Sequence, residues 1–308
     1  MNKTSVIMKR FFLDPTWRFR YLCKLGIFNR MPDEQFLKLK YKYLFGSELH
    51  LDPPVTFNEK LNWLKLHDRN PKYTTMVDKY AAKQYVGNII GEQHIIPTLG
   101  VWDRFENIDF NALPDQFVLK CTHDSGGIVI CKDKKKMDID AARKKINKML
   151  KRKFYYESRE WPYKNVKPRI IAERYMVDES GIELKDYKFF CFDGVPKFMF
   201  VACDRENKNE ETKFNFYDMD FNLMPFTNGH PNAPDGRITK PQAFDEMKKI
   251  AAKLSKDIKH VRVDLYDING NIYFGELTFY HWSGMVPFDP PEWDVKLGQL
   301  LELPKQEN

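Results

Sequence analysis

The sequence predicts an α+β fold in which helices lead and antiparallel strands follow. Three observations carry this. Apolar residues recur at helical spacing in the segments before Pro97. Beyond it, short runs rich in β-branched and aromatic residues flank tight-turn pairs, Asp193-Gly194 and Asn269-Gly270. Strands and helices do not alternate regularly, which argues against a doubly wound parallel sheet.

The elements follow in order. Residues 1–70 read mostly helical. "MPDEQFLKLKYKYLFG" spaces Phe36, Leu37, Tyr41 and Leu44 on one helix face, with Asp33 expected as N-cap. "TFNEKLNWLKLHD" opens on Thr56 or Asn58 as cap, and "MVDKYAAKQYVGNIIG" is a helix capped by Asp78 and ended by a glycine. "FVLKCTHDSGGIVICKD" reads strand, glycine turn, strand, and "DIDAARKKINKMLKRKFYY" reads as a basic amphipathic helix. "RIIAERYM" is a short buried strand. "LKDYKFFCFDGVPKFMFVACDR" is a hairpin, "KFNFYDMDFNLMPF" a strand pair and "AFDEMKKIAAKLSKDI" a helix. The last hairpin is "HVRVDLYDINGNIYFGELTF". No internal repeat or low-complexity tract interrupts the chain.

Composition narrows the function classes. With 308 residues, 43% apolar, the chain can bury a sizeable core and is not a disordered polymer. No run reaches the apolar length of a membrane span, and no signal peptide is read at the N-terminus. Five cysteines without C-x-x-C spacing, four in apolar strand-like runs, are expected as reduced and buried in a cytoplasmic protein. The net charge of +7 is concentrated at one end: residues 1–50 hold ten Lys/Arg, among them Lys9, Arg10, Arg18 and Arg20, against four acids, interleaved with Phe11, Phe12, Trp17 and Tyr21. This pattern fits peripheral contact with an anionic surface at the inner membrane face, or a packed cap whose lysines stay wet. No nucleic acid is expected as partner.

The last hairpin poses a chemical question. Its first strand carries Arg262 and Asp264 among Val261, Val263 and Leu265, and its second carries Glu276 beside Leu277. A two-residue Asn269-Gly270 loop sets Asp264 and Glu276 on opposite faces. A three-residue loop, or an equivalent bulge, sets them directly opposite, with Arg262 facing Thr278. Like charges across a ladder repel. Either this face is solvated, or a cation lies between the carboxylates.

Other motifs are weaker alone. "VLKCTHDSGGIVI" joins Lys120 on an apolar strand to Ser125, Gly126 and Gly127, which let backbone N–H groups line an anion site. A plain hairpin turn is the alternative, and the strict P-loop pattern is absent. Glu173 ends an apolar strand. Asp186 and Lys188 share one strand face, as a site or as a surface ion pair. Asp218-x-Asp220 matches the metal-binding pattern of many glycosyltransferases, yet Asn222 and the flanking strands make it read as a turn.

Taken in sequence, these pieces resemble the ATP-grasp superfamily. The phrases "TFNEKLNWLK", "VDKYAAKQYVGN", "FVLKCTHDSGG", "DYKFFCFDG" and "HVRVDLY…YFGELTF" resemble its TupA-like branch, associated with teichuronopeptide and other bacterial surface polysaccharides and sometimes labelled glycosyltransferase. The resemblance covers roughly residues 54–290. It implies two α+β lobes whose antiparallel sheets sandwich ATP, after a basic helical region at 1–70. The small lobe with a glycine-rich lid is expected at 71–171 and the large lobe with the metal hairpin at 172–308. Lys120 is implied at ATP phosphate, with Lys79 as a second. Ser125, Gly126 and Gly127 form the lid. Glu173, Tyr175 and Met176 hold adenine, Asp186 the ribose, and Lys188 lies near the phosphates. Asp264, Glu276 and Thr278 are implied as Mg2+ ligands, Thr278 standing where the pattern commonly has asparagine. Arg262 sits over an acyl phosphate, and Ser283 and Gly284 meet the acceptor. The implied activity is an ATP- and Mg2+-dependent carboxylate–amine ligase. Its partners are an amino acid or amine and a carboxylate-bearing sugar or polysaccharide precursor. A metal-dependent glycosyltransferase using Asp218 and Asp220 is the alternative. Repulsion between Asp264 and Glu276 further predicts that neutralising Asp264 leaves the fold intact or steadier.

Overall fold

Most helices and strands expected from the sequence are present, and they separate into two units; "KFNFYDMDFNLMPF" gives one strand with a single bridge from Tyr217 to Leu223 instead of a strand pair, and Asp78 lies between two helices, the second of which starts after Tyr80. The structure is a computed structural model that describes residues 11–178, 181, 184–204, 211–234 and 237–304. Lys9 and Arg10 lie outside the described residues. In chain order the helices are α1 (Pro15–Lys24), α2 (Asp33–Phe45), α3 (Phe57–His67), α4 (Lys72–Val77), α5 (Ala81–Ile90), α6 (Ile139–Leu150), α7 (Tyr155–Ser158), α8 (Phe244–Ser255) and α9 (Glu292–Gly298). The strands are β1 (Thr98–Trp102), β2 (Phe117–Cys121), β3 (Ile128–Cys131), β4 (Ile170–Arg174), β5 (Asp186–Phe192), β6 (Val195–Cys203), β7 (Lys213–Asp218), β8 (Thr227–Asn228), β9 (His260–Ile268), β10 (Asn271–Thr278) and β11 (Phe288–Asp289).

The first unit takes its described residues from Met1–Arg69, Lys153–Trp161 and Tyr280–Asn308. The sequence reading assigned 172–308 to one lobe; the segment from Tyr280 instead packs with the N-terminal helices. Long-range polar contacts explain why. The Asp294 carboxylate accepts from the backbone N–H and the side-chain amide of Asn58, both at 2.9 Å. Lys60 donates to the carbonyls of Gly298 and Leu301. A Cβ on Gly298 would stand 2.4 Å from the Val55 carbonyl oxygen, so only glycine permits this approach. Thr56, not Asn58, caps α3 through a reciprocal capping box with Glu59. Asp33 is the first residue of α2 and not its cap; its carboxylate accepts from Tyr155 at 2.6 Å and Arg69 at 2.9 Å.

The second unit, Asn70–Arg152 and Pro162–Phe279, contains two antiparallel sheets. One has the order β1-β4-β2-β3 and the other β10-β9-β5-β6-β7. Alternation sorts the faces. In the four-stranded sheet Phe117, Leu119, Cys121, Ile170 and Ala172 pack with Ala142 and Ile146 of α6. Lys120, Ile171 and Glu173 therefore point the other way. In the five-stranded sheet the Cys191 Sγ donates to the Ala251 carbonyl of α8 and Phe189 packs on Phe244. Asp186, Lys188, Arg262 and Asp264 lie on the face away from α8. Cys121, Cys131, Cys191 and Cys203 are buried free thiols, as expected; Cys23 is half-buried.

The last hairpin resolves its register by a compromise. Asn269 and Gly270 both have positive φ, 53° and 81°, and close a two-residue loop. Pairing runs from Asn271↔Ile268 to Phe274↔Leu265 in that register, then slips at Gly275 to Glu276↔Asp264 and Thr278↔Arg262. The bulge does what a three-residue loop was expected to do. A Cβ at Gly275 would lie 3.0 Å from the Asp264 carbonyl oxygen and 3.2 Å from the Tyr266 ring, which is why this strand position holds glycine.

Candidate functional site

The site is built across three neighbouring strands of the second unit. Lys188 on β5 lies opposite Asp264 on β9, and Asp264 lies opposite Glu276 on β10. Arg262, two residues before Asp264, shares its face. Its Nε donates to Asp264 Oδ1 and its Nη2 to Asp264 Oδ2, both at 2.7 Å. The same Nη2 reaches Glu276 Oε1 at 3.1 Å and Thr278 Oγ1 at 3.0 Å. Thr278 donates to Glu276 Oε1 at 3.1 Å. Lys188 pairs with Asp264 and, at 3.2 Å, with Asp186. The pattern thus answers the repulsion: a buried guanidinium and an ammonium neutralise the two acids. Arg262 also lies 5.7 Å from the Phe200 ring, and the apolar wall of Phe190, Phe198 and Phe200 behind it strengthens these ion pairs by excluding water.

That arrangement corrects one expectation. Asp264 is 1% exposed and engaged by both cations. Neutralising it strands two buried positive charges rather than relieving a clash.

A second cluster lies on the four-stranded sheet. Glu173 receives Lys120 at 2.6 Å on one oxygen and Lys83 of α5 on the other. Burial alone would raise the Glu173 carboxyl, but the charges of Lys120 and then Lys83 outweigh it and hold it at about 2. Glu276 is likewise held at about 2: burial opposes ionisation, and Lys79, Lys188 and Arg262 overcome it. The Lys120 ammonium is also favoured by the charges of Glu276 and Asp186, so the two clusters share one field.

These shifts set a pH dependence. Both glutamates titrate lower in the folded chain than a free carboxyl near 4.5. Glu173, which is buried, carries this linked stability, complete above about pH 4.5 and lost as pH falls toward about 2, whereas Glu276, 39% exposed, is screened by solvent and adds little. The urea midpoint should drop steeply across that window, and Glu173→Gln should flatten the drop. An equal slope in that variant would show that Glu173 carries no linked proton.

The glycine loop is closed down on α6. Lys79 donates from Nζ to the Asp124 carbonyl at 2.9 Å. The Asp124 carboxylate accepts from the Ser125 N–H and from Arg152 Nη1. A Cβ on Gly127 would meet Cys121 Sγ at 2.7 Å, and one on Gly126 would meet Met149 and Arg152 at 3.1–3.2 Å. Ser125 and Gly126 form the exposed tip. Tyr175 and Met176, just after β4, are half-buried, and Lys132 lies 5.6 Å from the Tyr175 ring.

Some expected residues fall elsewhere. Ser283 and Gly284 belong to the first unit, in a turn where Trp282, Ser283 and Gly284 all have positive φ. Buried Lys65 donates to the Ser283 carbonyl at 2.7 Å, Asn62 to that of Gly284 at 2.9 Å, and the Ser283 hydroxyl to Glu160. Asp218 spends its carboxylate locally, accepting from the Asp220 and Asn222 N–H groups and the Asn222 amide, which is turn chemistry. Sequence reasoning missed Lys83, although it lies four residues after Lys79, which sits in the turn just before α5. It also missed Arg152 and the Arg169–Asp78 pair, which join distant segments. Clefts of about 390 Å3 beside Lys83 and about 360 Å3 beside Lys185 and Asp267 are lined by neither Asp264 nor Glu276.

The donor set suits a hard cation of the magnesium type. Two carboxylates and a hydroxyl converge; both Asp264 oxygens are held by Arg262 and Lys188, and Glu276 Oε2 accepts no hydrogen bond among the described residues, so Glu276 offers the open oxygen. Among the described residues no three His, Cys, Asp or Glu side chains group as metal ligands. Magnesium needs no such cage, because it keeps waters and binds substrate phosphate oxygens. The residues present fit that ion.

Comparison with known proteins agrees on the family. The model of the TupA-like ATP-grasp family matches residues 59–302. Among solved structures, the chain is similar to D-alanine–D-alanine ligase from Bacillus anthracis complexed with ATP, at 16% identity and TM-score 0.38 over 66% of this chain and 53% of that one. It is similar to D-alanine–D-alanine ligase from Helicobacter pylori, at 16% identity and TM-score 0.42 over 75% and 60%. It is also similar to the ATP-grasp ligase PsnB complexed with minimal precursor, Mg and ADP, at 11% identity and TM-score 0.38 over 72% and 57%. The chain thus spans little more than half the length of these ligases. No curated protein matches the sequence.

Proposed function

Because the chain belongs to the TupA-like ATP-grasp family, we propose that it is an ATP- and magnesium-dependent carboxylate–amine ligase of bacterial surface-polysaccharide assembly, joining an amino acid to a uronic acid. The observation that carries this reading is the bulge at Gly275, which brings Asp264 and Glu276 to one face beneath Arg262 and Lys188.

In the proposed reaction a carboxylate oxygen attacks the γ-phosphorus of ATP and ADP leaves. An amine nitrogen then attacks the acyl carbon, phosphate leaves, and the amine loses a proton. Such chemistry asks a protein to position reactants and balance spreading negative charge more than to supply a nucleophile. Asp264, Glu276 and Thr278 would hold magnesium, which would supply positive charge at the phosphate oxygens. Lys120 and Lys79 would meet phosphate. Glu173, with both oxygens on lysines, orients Lys120 and Lys83. Lys188, fixed between Asp186 and Asp264, keeps a positive charge on the same face. The glycosyltransferase alternative would use Asp218, whose carboxylate caps its own turn by accepting from the Asp220 and Asn222 N–H groups and the Asn222 amide.

The test is phosphate release from ATP and magnesium across a matrix of amino acids and uronic acids. Release that requires one member of each class supports the reading. Release with neither class, or sugar transfer from a nucleotide sugar, overturns it.

A further inference from the structure

Helix α1 of the first unit has two unlike sides. At 100° per residue, Thr16, Phe19 and Cys23 share one of them. Phe19 is buried and packs on Tyr43, Phe28 and Phe36, with ring centroids 4.7, 5.4 and 6.2 Å away. Thr16 donates to the Tyr43 carbonyl. This side holds the helix to α2.

The other side carries Trp17, Tyr21 and Leu25, one turn apart. The Trp17 and Tyr21 rings stack at 5.2 Å. Phe11 meets Tyr21 edge-on at 6.2 Å and Phe12 meets Phe11 at 5.7 Å, so the residues preceding the helix fold against its aromatic stripe. Arg18 fixes that segment by donating to the Phe11 carbonyl and lying over the Phe11 ring. Phe12, Leu13, Leu25 and Ile27 are 58–71% exposed. Single exposed apolar residues need no explanation, but Phe12 against Phe11 and Leu25 along the stripe, beside a stacked aromatic pair, form a patch, with Leu13 and Ile27 exposed on either side of the helix in sequence.

Cations flank the patch. Lys24 and Arg18 border the stripe, and Arg20 lies at its edge. Between residues 11 and 30 the only acid is Asp14, and it is spent capping the helix by accepting from the Trp17 N–H at 2.8 Å. A water-facing helix would carry mixed charge here. A core-facing helix would be covered. No described helix is long and apolar enough to cross a membrane, and ten residues reach only about 15 Å. Aromatic and aliphatic side chains ringed by arginine and lysine suit the headgroup–acyl boundary, where indole and phenol rings settle and long cationic stems reach phosphates.

We propose that this face docks the protein on an anionic lipid bilayer, with Phe12, Leu13, Leu25 and Ile27 entering the interface and Arg18, Arg20 and Lys24 meeting lipid phosphate. The inference does not rest on the ligase reading.

The full chain should be sedimented with vesicles of phosphatidylcholine alone or mixed with phosphatidylglycerol, over a salt series. It is expected to bind the anionic vesicles at low salt, to leave them as salt rises, and to ignore the neutral ones. Two variants, Arg20→Glu/Lys24→Glu and Phe12→Ser/Leu13→Ser/Ile27→Ser, should each lower binding about 10-fold or more without moving the melting temperature. No binding to anionic vesicles at low salt overturns the proposal. So does loss in the charge variant alone, since that is adsorption without entry of the apolar residues into the bilayer.

Discussion

Asp264→Asn is expected to lower the unfolding free energy by several kcal/mol, on the order of 3–5 for a broken buried ion pair. Asp264 is 1% exposed, and three charge-assisted contacts end on it: two from Arg262 and one from Lys188. Asparagine preserves the shape and one acceptor but not the charge. Arg262 retains Glu276 and Thr278, and burial raises the Asp264 carboxyl despite the opposing charges of Arg262 and Lys188, so the loss should fall at or below the lower end of that range. Urea unfolding followed by far-UV circular dichroism reads it. A variant that unfolds at the wild-type midpoint would mean that Asp264 does not neutralise these cations in solution.

Glu276→Gln should behave in the opposite way. Its side chain is 39% exposed, and among the described residues one of its oxygens accepts no hydrogen bond. Partly exposed pairs contribute about 0–1 kcal/mol, so stability should barely move. If this oxygen meets magnesium, ADP formation should fall by about 10²-fold or more. The pair of variants separates the proposed roles, Asp264 as both pillar and ligand and Glu276 chiefly as a ligand. Full ADP formation by Glu276→Gln would remove Glu276 from the metal set. A large stability loss in that variant would make it a structural partner of Arg262 instead.

Which parts were legible in the sequence follows from the range of each signal. Period-2 alternation placed Arg262 with Asp264, and Asp186 with Lys188, each pair on one strand face, because the information is local. The hairpin could not be read from its loop alone. Asn269-Gly270 asks for one register and the carboxylates for another, and Gly275 supplies the slip between them. A glycine inside an apolar strand was the available clue. Lys83 was missed because its partner Glu173 is far along the chain, although its spacing from Lys79 was visible. The docking of residues 280–304 on the N-terminal helices depends on Asp294 meeting Asn58, a pairing that no periodicity encodes. Asp33 and Thr56 look equally like caps in sequence. Tyr155 and Arg69 claim the first, and only the second closes a capping box.

The central claim is that the second unit holds a magnesium–nucleotide site on these two clusters. Thermal melting of the full chain tests it most directly, with ATP and magnesium in one arm and UDP-sugars and magnesium in the other. Ligands that bind only the folded state raise the melting temperature. The account predicts a rise with ATP and magnesium, a smaller one with ATP and chelator, and none with UDP-sugars. A rise with UDP-sugars and no response to ATP would contradict it.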